Sequence, residues 1–158
     1  MPLTETQKHV LALLASNRRS DSHVAGGIVI NRAADSVRYS ADIDLFHDNP
    51  TIAAASADAD AQLLLNAGFE VDWLERRDFH HRAQIRRGAE SLKMEWCQDS
   101  TFRFFPVQAD PEFGFCLHPA DLATNKALAL GGRAEIRDFI DILYLNQTYL
   151  SLDRKSVV

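Results

Sequence analysis

VAGGIVINRAADSVRYSADIDLF, residues 24–46, opens on an apolar pair, Val24-Ala25, that runs into the double glycine Gly26-Gly27. That order reads as a strand entering a tight turn, and Ile28 to Ala34 is expected to follow as a short helix. From Tyr39 to Phe46 the sequence alternates, with Ile43 and Leu45 on one side and Asp42 and Asp44 on the other, the period of a strand. Side chains at i and i+2 leave a strand on one face, so both carboxylates project together. Hard oxygen ligands in that arrangement suit Mg²⁺ or Mn²⁺ when phosphates complete the shell; a solvated acidic face has the same pattern. Asp48 puts a third carboxylate within seven residues, and such clusters repel unless a cation or base sits among them. Gly26 and Gly27, lacking Cβ, allow the backbone to approach a phosphate closely, with the N–H groups of the following helix start turned toward that anion. They serve equally as a plain turn.

Outward from this segment, Thr4-x-x-Gln7 has the form of a capping box, with Val10, Leu13 and Leu14 as the buried stripe of the helix it opens. Asn49-Pro50-Thr51 is a helix start with proline near its first position, and Gly68 ends that helix. Strands are expected at Phe69–Trp73, Phe79–Arg87 and Ser91–Cys97, then at Phe102–Val107, and Phe115–Leu117 is a short apolar segment. His118-Pro119 starts a helix that Gly131-Gly132 ends, and a last helix runs from Arg133 to about Tyr149 with Ile136, Phe139, Ile140 and Leu143 inward. Strands and helices mix before a closing helical pair, an α+β layout. The expected organisation is a single domain over residues 1–158, with the pair at 118–150 packed on it.

The chain has 158 residues, and 46% of them are apolar, enough to bury a real core. No apolar run approaches the ~20 residues that span a bilayer, and MPLTETQKH lacks the pattern of a signal peptide. Cys97 and Cys116 are too few for a disulfide framework. A cytoplasmic, reduced protein is expected. His80 and His81 would face opposite sides of a strand, and His9, His23 and His47 show no ligand spacing, so no zinc site is expected. The net charge is −5, yet Glu75 to Lys93 holds six bases (Arg76, Arg77, Arg82, Arg86, Arg87, Lys93) against three acids. That local +3 leaves −8 elsewhere. The stretch is either a contact surface for phosphates or a solvated arginine-rich hairpin.

Gly-Gly, a helix and then Arg38-Tyr39-Ser40-Ala41-Asp42-Ile43-Asp44 resembles the nucleotidyltransferase superfamily, which has the polymerase beta-like fold. The resemblance is closest to the AbiEii-type toxins and the related MenT-like nucleotidyltransferases. It resumes at His118-Pro119-Ala120-Asp121-Leu122-Ala123-Thr124-Asn125-Lys126 and at Arg137-Asp138-Phe139-Ile140-Asp141, so three motifs follow in order over most of the chain.

This resemblance implies a mixed sheet flanked by helices and a short C-terminal helical part. It implies transfer of a nucleoside monophosphate from an NTP, with Mg²⁺ or Mn²⁺ held by Asp42 and Asp44. Glu95, in Leu92-Lys93-Met94-Glu95-Trp96, stands as the third metal carboxylate or as a solvent-facing strand residue. Gly26, Gly27, Ser40 and Lys126 are the implied nucleotide contacts. Asp138 would position Lys126, or belong with Asp141 to an ion-pair network between the last two helices. The implied partners are a cognate antitoxin and a tRNA or other RNA acceptor held by Arg76–Lys93, with no membrane. A small-molecule nucleotidyltransferase and a shortened, non-catalytic NTP- or partner-binding module are the alternatives, because the family continues with further helices where this sequence has Ser151–Val158.

Overall fold

Alternation becomes strand wherever the inward residues are branched or aromatic, and those strands join in one sheet. A computed structural model describes residues 3–149 and 151; Leu150, the last residue of the expected helical pair, and most of the segment after it, 152–158, lie outside these. The elements are α1 (Glu5–Leu14), a 3₁₀ turn (Ala15–Asn17), β1 (Ser22–Ala25), α2 (Gly27–Ile30), β2 (Asp42–His47), α3 (Pro50–Asn66), β3 (Glu70–Arg77), β4 (His80–Arg87), β5 (Glu90–Gln98), β6 (Gln108–Asp110), β7 (Gly114–Cys116), α4 (Pro119–Arg133) and α5 (Ile136–Thr148). The sheet order is β3-β4-β5-β2-β1-β7-β6. The pairs β2–β5 and β1–β7 are parallel and the others antiparallel, so the sheet is mixed and flanked by helices, as expected.

One face of the sheet is the core. Ile43 and Leu45 of β2, Met94 and Trp96 of β5, and Ala83 and Ile85 of β4 are buried with Val10, Leu11 and Leu14 of α1 and Ala57 and Leu64 of α3. The α1 capping box forms as read: the Thr4 hydroxyl accepts from the Gln7 N–H at 3.1 Å, and the Gln7 side chain accepts from the Thr4 N–H at 3.0 Å. Leu11, rather than Leu13, completes the α1 stripe. In the middle of α3, buried Asp60 receives both short bonds of the Arg18 guanidinium at 2.6 Å, the Trp96 indole N–H at 2.8 Å and the Asn17 amide at 2.8 Å. A hydrogen-bonded charge pair thus joins the chain before β1, α3 and β5 within the apolar core.

Four expectations change. The helix expected at 28–34 is a single turn, because it ends at Asn31, whose amide donates to the Gly27 carbonyl at 2.9 Å and to Asp141 at 2.8 Å. Residues 102–107 form no strand: the Asp121 carboxylate accepts from the Phe104 and Phe105 N–H groups at 2.8 and 3.1 Å, taking donors a ladder would use. Gly131 and Gly132 do not end α4. The helix runs on to Arg133, which reaches Asp138, and closes at Ala134 in the left-handed region with φ 50°. Finally, α5 is turned relative to its apolar pattern. Asp138, Asp141, Ile142 and Leu145 are buried, Ile140 is half-buried, and Ile136, Phe139 and Leu143 face out. Ion pairs from the two aspartates to Lys126, Arg133 and Arg38 outweigh hydrophobic periodicity there.

Candidate active site

The second face of the sheet is polar and lines a cleft of about 910 Å³ beneath α4. Its floor follows from register. Asp42 of β2 lies opposite Lys93 of β5, and Asp44 lies opposite Glu95, so both aspartates, the lysine and the glutamate share one face. The Lys93 ammonium bridges Asp42 Oδ2 and Glu95 Oε1 at 3.0 Å each. Burial, then the charges of Glu95 and Asp42, push the Asp44 carboxyl up to about 6. The carboxylates are thus short of positive charge even with Lys93 among them, a donor set that suits a divalent cation. Glu95 is held the other way, its carboxyl lowered by hydrogen bonds from His80 and Lys93 against the cost of burial.

Gly26 is required by its surroundings. It sits at φ 75°, and a Cβ there would stand 2.4 Å from Asp44 Oδ2. A Cβ on Gly27 would meet the Arg38 guanidinium at 2.5 Å and the Ser40 hydroxyl at 2.8 Å. The double glycine therefore lets side chains of the 38–44 segment lie against the β1–α2 turn. That segment is also tied from outside, since the Gln7 amide of α1 donates to the Ser40 carbonyl at 2.7 Å and the Ala41 carbonyl at 3.3 Å. This is why β2 starts at Asp42 rather than Tyr39.

The wall opposite the floor is an ion-pair relay from α4 and α5. Lys126 Nζ lies 2.9 Å from Asp138 Oδ1 and 2.9 Å from Asp141 Oδ2. Arg133 donates to Asp138 at 2.7 Å, and Arg38 makes two 2.6 Å bonds to Asp141. Arg133 and Lys126 hold the Asp138 carboxyl at about 2, overcoming its burial. Arg137, matched to the same motif, pairs instead with Glu135 at 2.6 Å.

Of the residues singled out from sequence, Gly26, Gly27, Ser40, Asp42, Asp44, Glu95 and Lys126 line the cleft, and Asp138 stands behind Lys126. Sequence reasoning assigned no role to Arg38 or Asn31, and placed Lys93 only in the basic stretch rather than in the floor of the cleft. Arg38 had a signal, as the first residue of the matched motif, and Lys93 alternates with Glu95; Asn31 had none. The basic stretch divides between faces. Arg77, Arg82, Arg86 and Lys93 share the cleft side, whereas Arg76 stacks on Trp73 and Arg87 on Phe69 at the other side. Five of its six bases are ion-paired: Arg76 to Asp58, Arg77 to Glu75, Arg82 to Glu75 and Glu95, Arg86 to Asp72, and Lys93 to Asp42 and Glu95.

Buried His23 and His47, at the far end of β1 and β2, are each lowered to about 4, mainly by desolvation. The unfolded chain takes up their protons near pH 6.5 and the folded chain near 4, so each removes stability as pH falls through that window, by about 3 kcal/mol. Asp44, raised, acts oppositely by a similar amount over pH 6 to 4. His81, also lowered by burial, adds to the loss. Thermal melts in chelator should therefore show a net loss of at least about 3 kcal/mol between pH 6.5 and 4. In His23→Leu that loss should shrink by about 3 kcal/mol; an unchanged slope would refute the assignment.

Comparison with known families and structures bears on the family and the fold. A family model described as the nucleotidyl transferase AbiEii toxin of type IV toxin–antitoxin systems matches residues 12–157. The fold is similar to JHP933 from Helicobacter pylori, with TM-score 0.66, 14% identity, and coverage of 92% of this chain and 65% of that one. It is also similar to MenT4, a nucleotidyltransferase toxin from Mycobacterium tuberculosis H37Rv, with TM-score 0.66, 17% identity, and coverage of 92% and 57%. The chain thus spans less than two thirds of the length of either structure. A search of curated proteins gave no match. No helix among the described residues is long and apolar enough to cross a membrane.

Proposed function

This chain belongs to the AbiEii family of nucleotidyl transferase toxins, and on that premise we propose that it transfers a nucleoside monophosphate from an NTP to an acceptor hydroxyl in the cytoplasm. The hydroxyl oxygen bonds to the α-phosphorus, the bond to the β-phosphate oxygen breaks, pyrophosphate leaves, and the hydroxyl proton passes to a carboxylate of the cleft or to water. Asp42, Asp44 and Glu95 are the residues that would hold Mg²⁺ or Mn²⁺. When bound, such an ion neutralises charge on the transferring group and activates the nucleophile. Lys126 spends two of its three donors on Asp138 and Asp141 and keeps one for a phosphate oxygen. Asp138 and Asp141 act through it by fixing its position. Gly26, Gly27 and Ser40 shape the turn against which the triphosphate lies, and positioning of this kind supplies much of the rate in phosphoryl-type transfer.

The observation that supports this most is the shared face of Asp42 and Asp44 opposite Glu95, with a buried lysine above them. The acceptor is proposed to be tRNA or another RNA, and the partner a cognate antitoxin. The ion pairing of five bases in Arg76–Lys93 favours a second reading, a small-molecule acceptor, which needs no phosphate-binding surface. The test is incubation with labelled NTPs, Mg²⁺ and total RNA. Label on RNA, abolished by chelator, is the expected result. No label on RNA with any NTP, together with pyrophosphate release on small hydroxyl acceptors, would select the second reading; no turnover of any NTP would reject both.

A further inference from the structure

We propose that His80, Glu95 and Cys97 form a second cation site, for zinc or another borderline-soft divalent ion, beside the carboxylate floor. Among the described residues they are the one group of three or more His, Cys, Asp or Glu whose ligand atoms all lie within 4.8 Å of one another. Sequence spacing hides the group, because it is assembled by pairing. His80 of β4 lies opposite Cys97 of β5 in the antiparallel register, and Glu95 precedes Cys97 by one full pleat, so all three leave the same face.

Several details favour an ion there. Nitrogen, oxygen and sulfur ligands at zinc bond lengths stand about 3.5 Å apart around a tetrahedral centre, so small side-chain rotations close the set. His80 Nδ1 lies 3.3 Å from Glu75 Oε2, the outer carboxylate that commonly orients a metal-bound histidine. His80 Nε2 lies 2.9 Å from Glu95 Oε2, joined to it by a proton in the metal-free chain. A cation bound there would take the place of that proton and be held by both groups. The other Glu95 oxygen faces away, toward Lys93 at 3.0 Å and Arg82 at 3.4 Å, so Glu95 turns one oxygen to each side. Thiol and imidazole ligands select a transition metal over Mg²⁺. The His80 and Glu95 side chains keep 26% and 18% exposure, which leaves an ion a way in and a fourth position for water. Binding forms an S–metal bond and releases the thiol proton, with no change of oxidation state.

Cobalt(II) titrated into the metal-free full chain tests this, and no nucleotide is required, so the outcome is independent of whether the chain transfers nucleotides. Expected are one cobalt per chain, a near-ultraviolet thiolate-to-cobalt band and displacement of that band by one equivalent of zinc. Cys97→Ser should abolish the band, and Glu75→Gln should weaken binding about 10–100-fold. Cys116→Ser, which removes the other thiol and none of the three ligands, should leave the band in place. Circular dichroism checks that each variant is folded; if Cys97→Ser is not, His80→Ala read by the same titration decides. Absence of the band in wild type, its survival in Cys97→Ser or unweakened in a folded His80→Ala, or its loss in a folded Cys116→Ser, would overturn the proposal.

Discussion

Asp60→Ala is expected to cost about 3–5 kcal/mol, much of a small domain's stability. The reason lies in what the substitution leaves behind. Arg18 is almost fully buried, and Asp60 is its charge partner through two 2.6 Å bonds. Removal of the carboxylate strands a guanidinium in apolar surroundings and also frees the Trp96 indole N–H and the Asn17 amide. Removal of both charges, in Arg18→Met/Asp60→Leu, should recover most of the loss, since an apolar replacement for a buried pair is often neutral. Urea unfolding of the single and double variants measures this. A single variant that loses under 1 kcal/mol would mean that water reaches Arg18.

Asp44→Asn should reduce nucleotidyl transfer by about 10³-fold or more, because a cation ligand worth several kcal/mol in the transition state is lost. The same change should stabilise the fold. With the Asp44 carboxyl raised to about 6, its ionised form at pH 7 costs the native state about 3 kcal/mol, by 1.36 kcal/mol per pH unit. Asparagine keeps the shape without that charge. A functional residue held at the expense of stability has this signature, and a merely solvated acidic face does not. Single-turnover transfer and thermal melting at pH 7 read the two effects together. Unchanged transfer would remove Asp44 from the site, and a lower melting temperature would contradict its electrostatics.

The sequence made the central strand legible because its two periodicities agree: Ile43 and Leu45 face the core, Asp42 and Asp44 the cleft. Hairpin β4–β5 was legible for the same reason. The α5 stripe was misread because Ile136, Phe139 and Leu143 carry the hydrophobic period while charge decides which side faces in. Asp138 and Asp141 are satisfied only by cations from α4 and from the 38–44 segment, and no local pattern states which cation lies where. Register was equally hidden. That Glu95 lies opposite Asp44, and that His80 lies opposite Cys97, depends on which strands pair, and the parallel β2–β5 contact spans three intervening elements.

That reach across the chain has a consequence for the time at which the protein is made. Arg38 finds Asp141 only across 103 positions, and Asn31 finds the same carboxylate across 110. Strand β1 waits for β7 as its outer neighbour, and β2 waits for β5. During synthesis from the N-terminus, the glycine turn and the aspartate strand therefore emerge long before the groups that hold them. The growing polypeptide carries every acidic residue of the floor while it still lacks the relay that fixes Lys126 and Arg38. The cleft is therefore completed only once α5 has emerged, whatever the order in which the earlier elements fold.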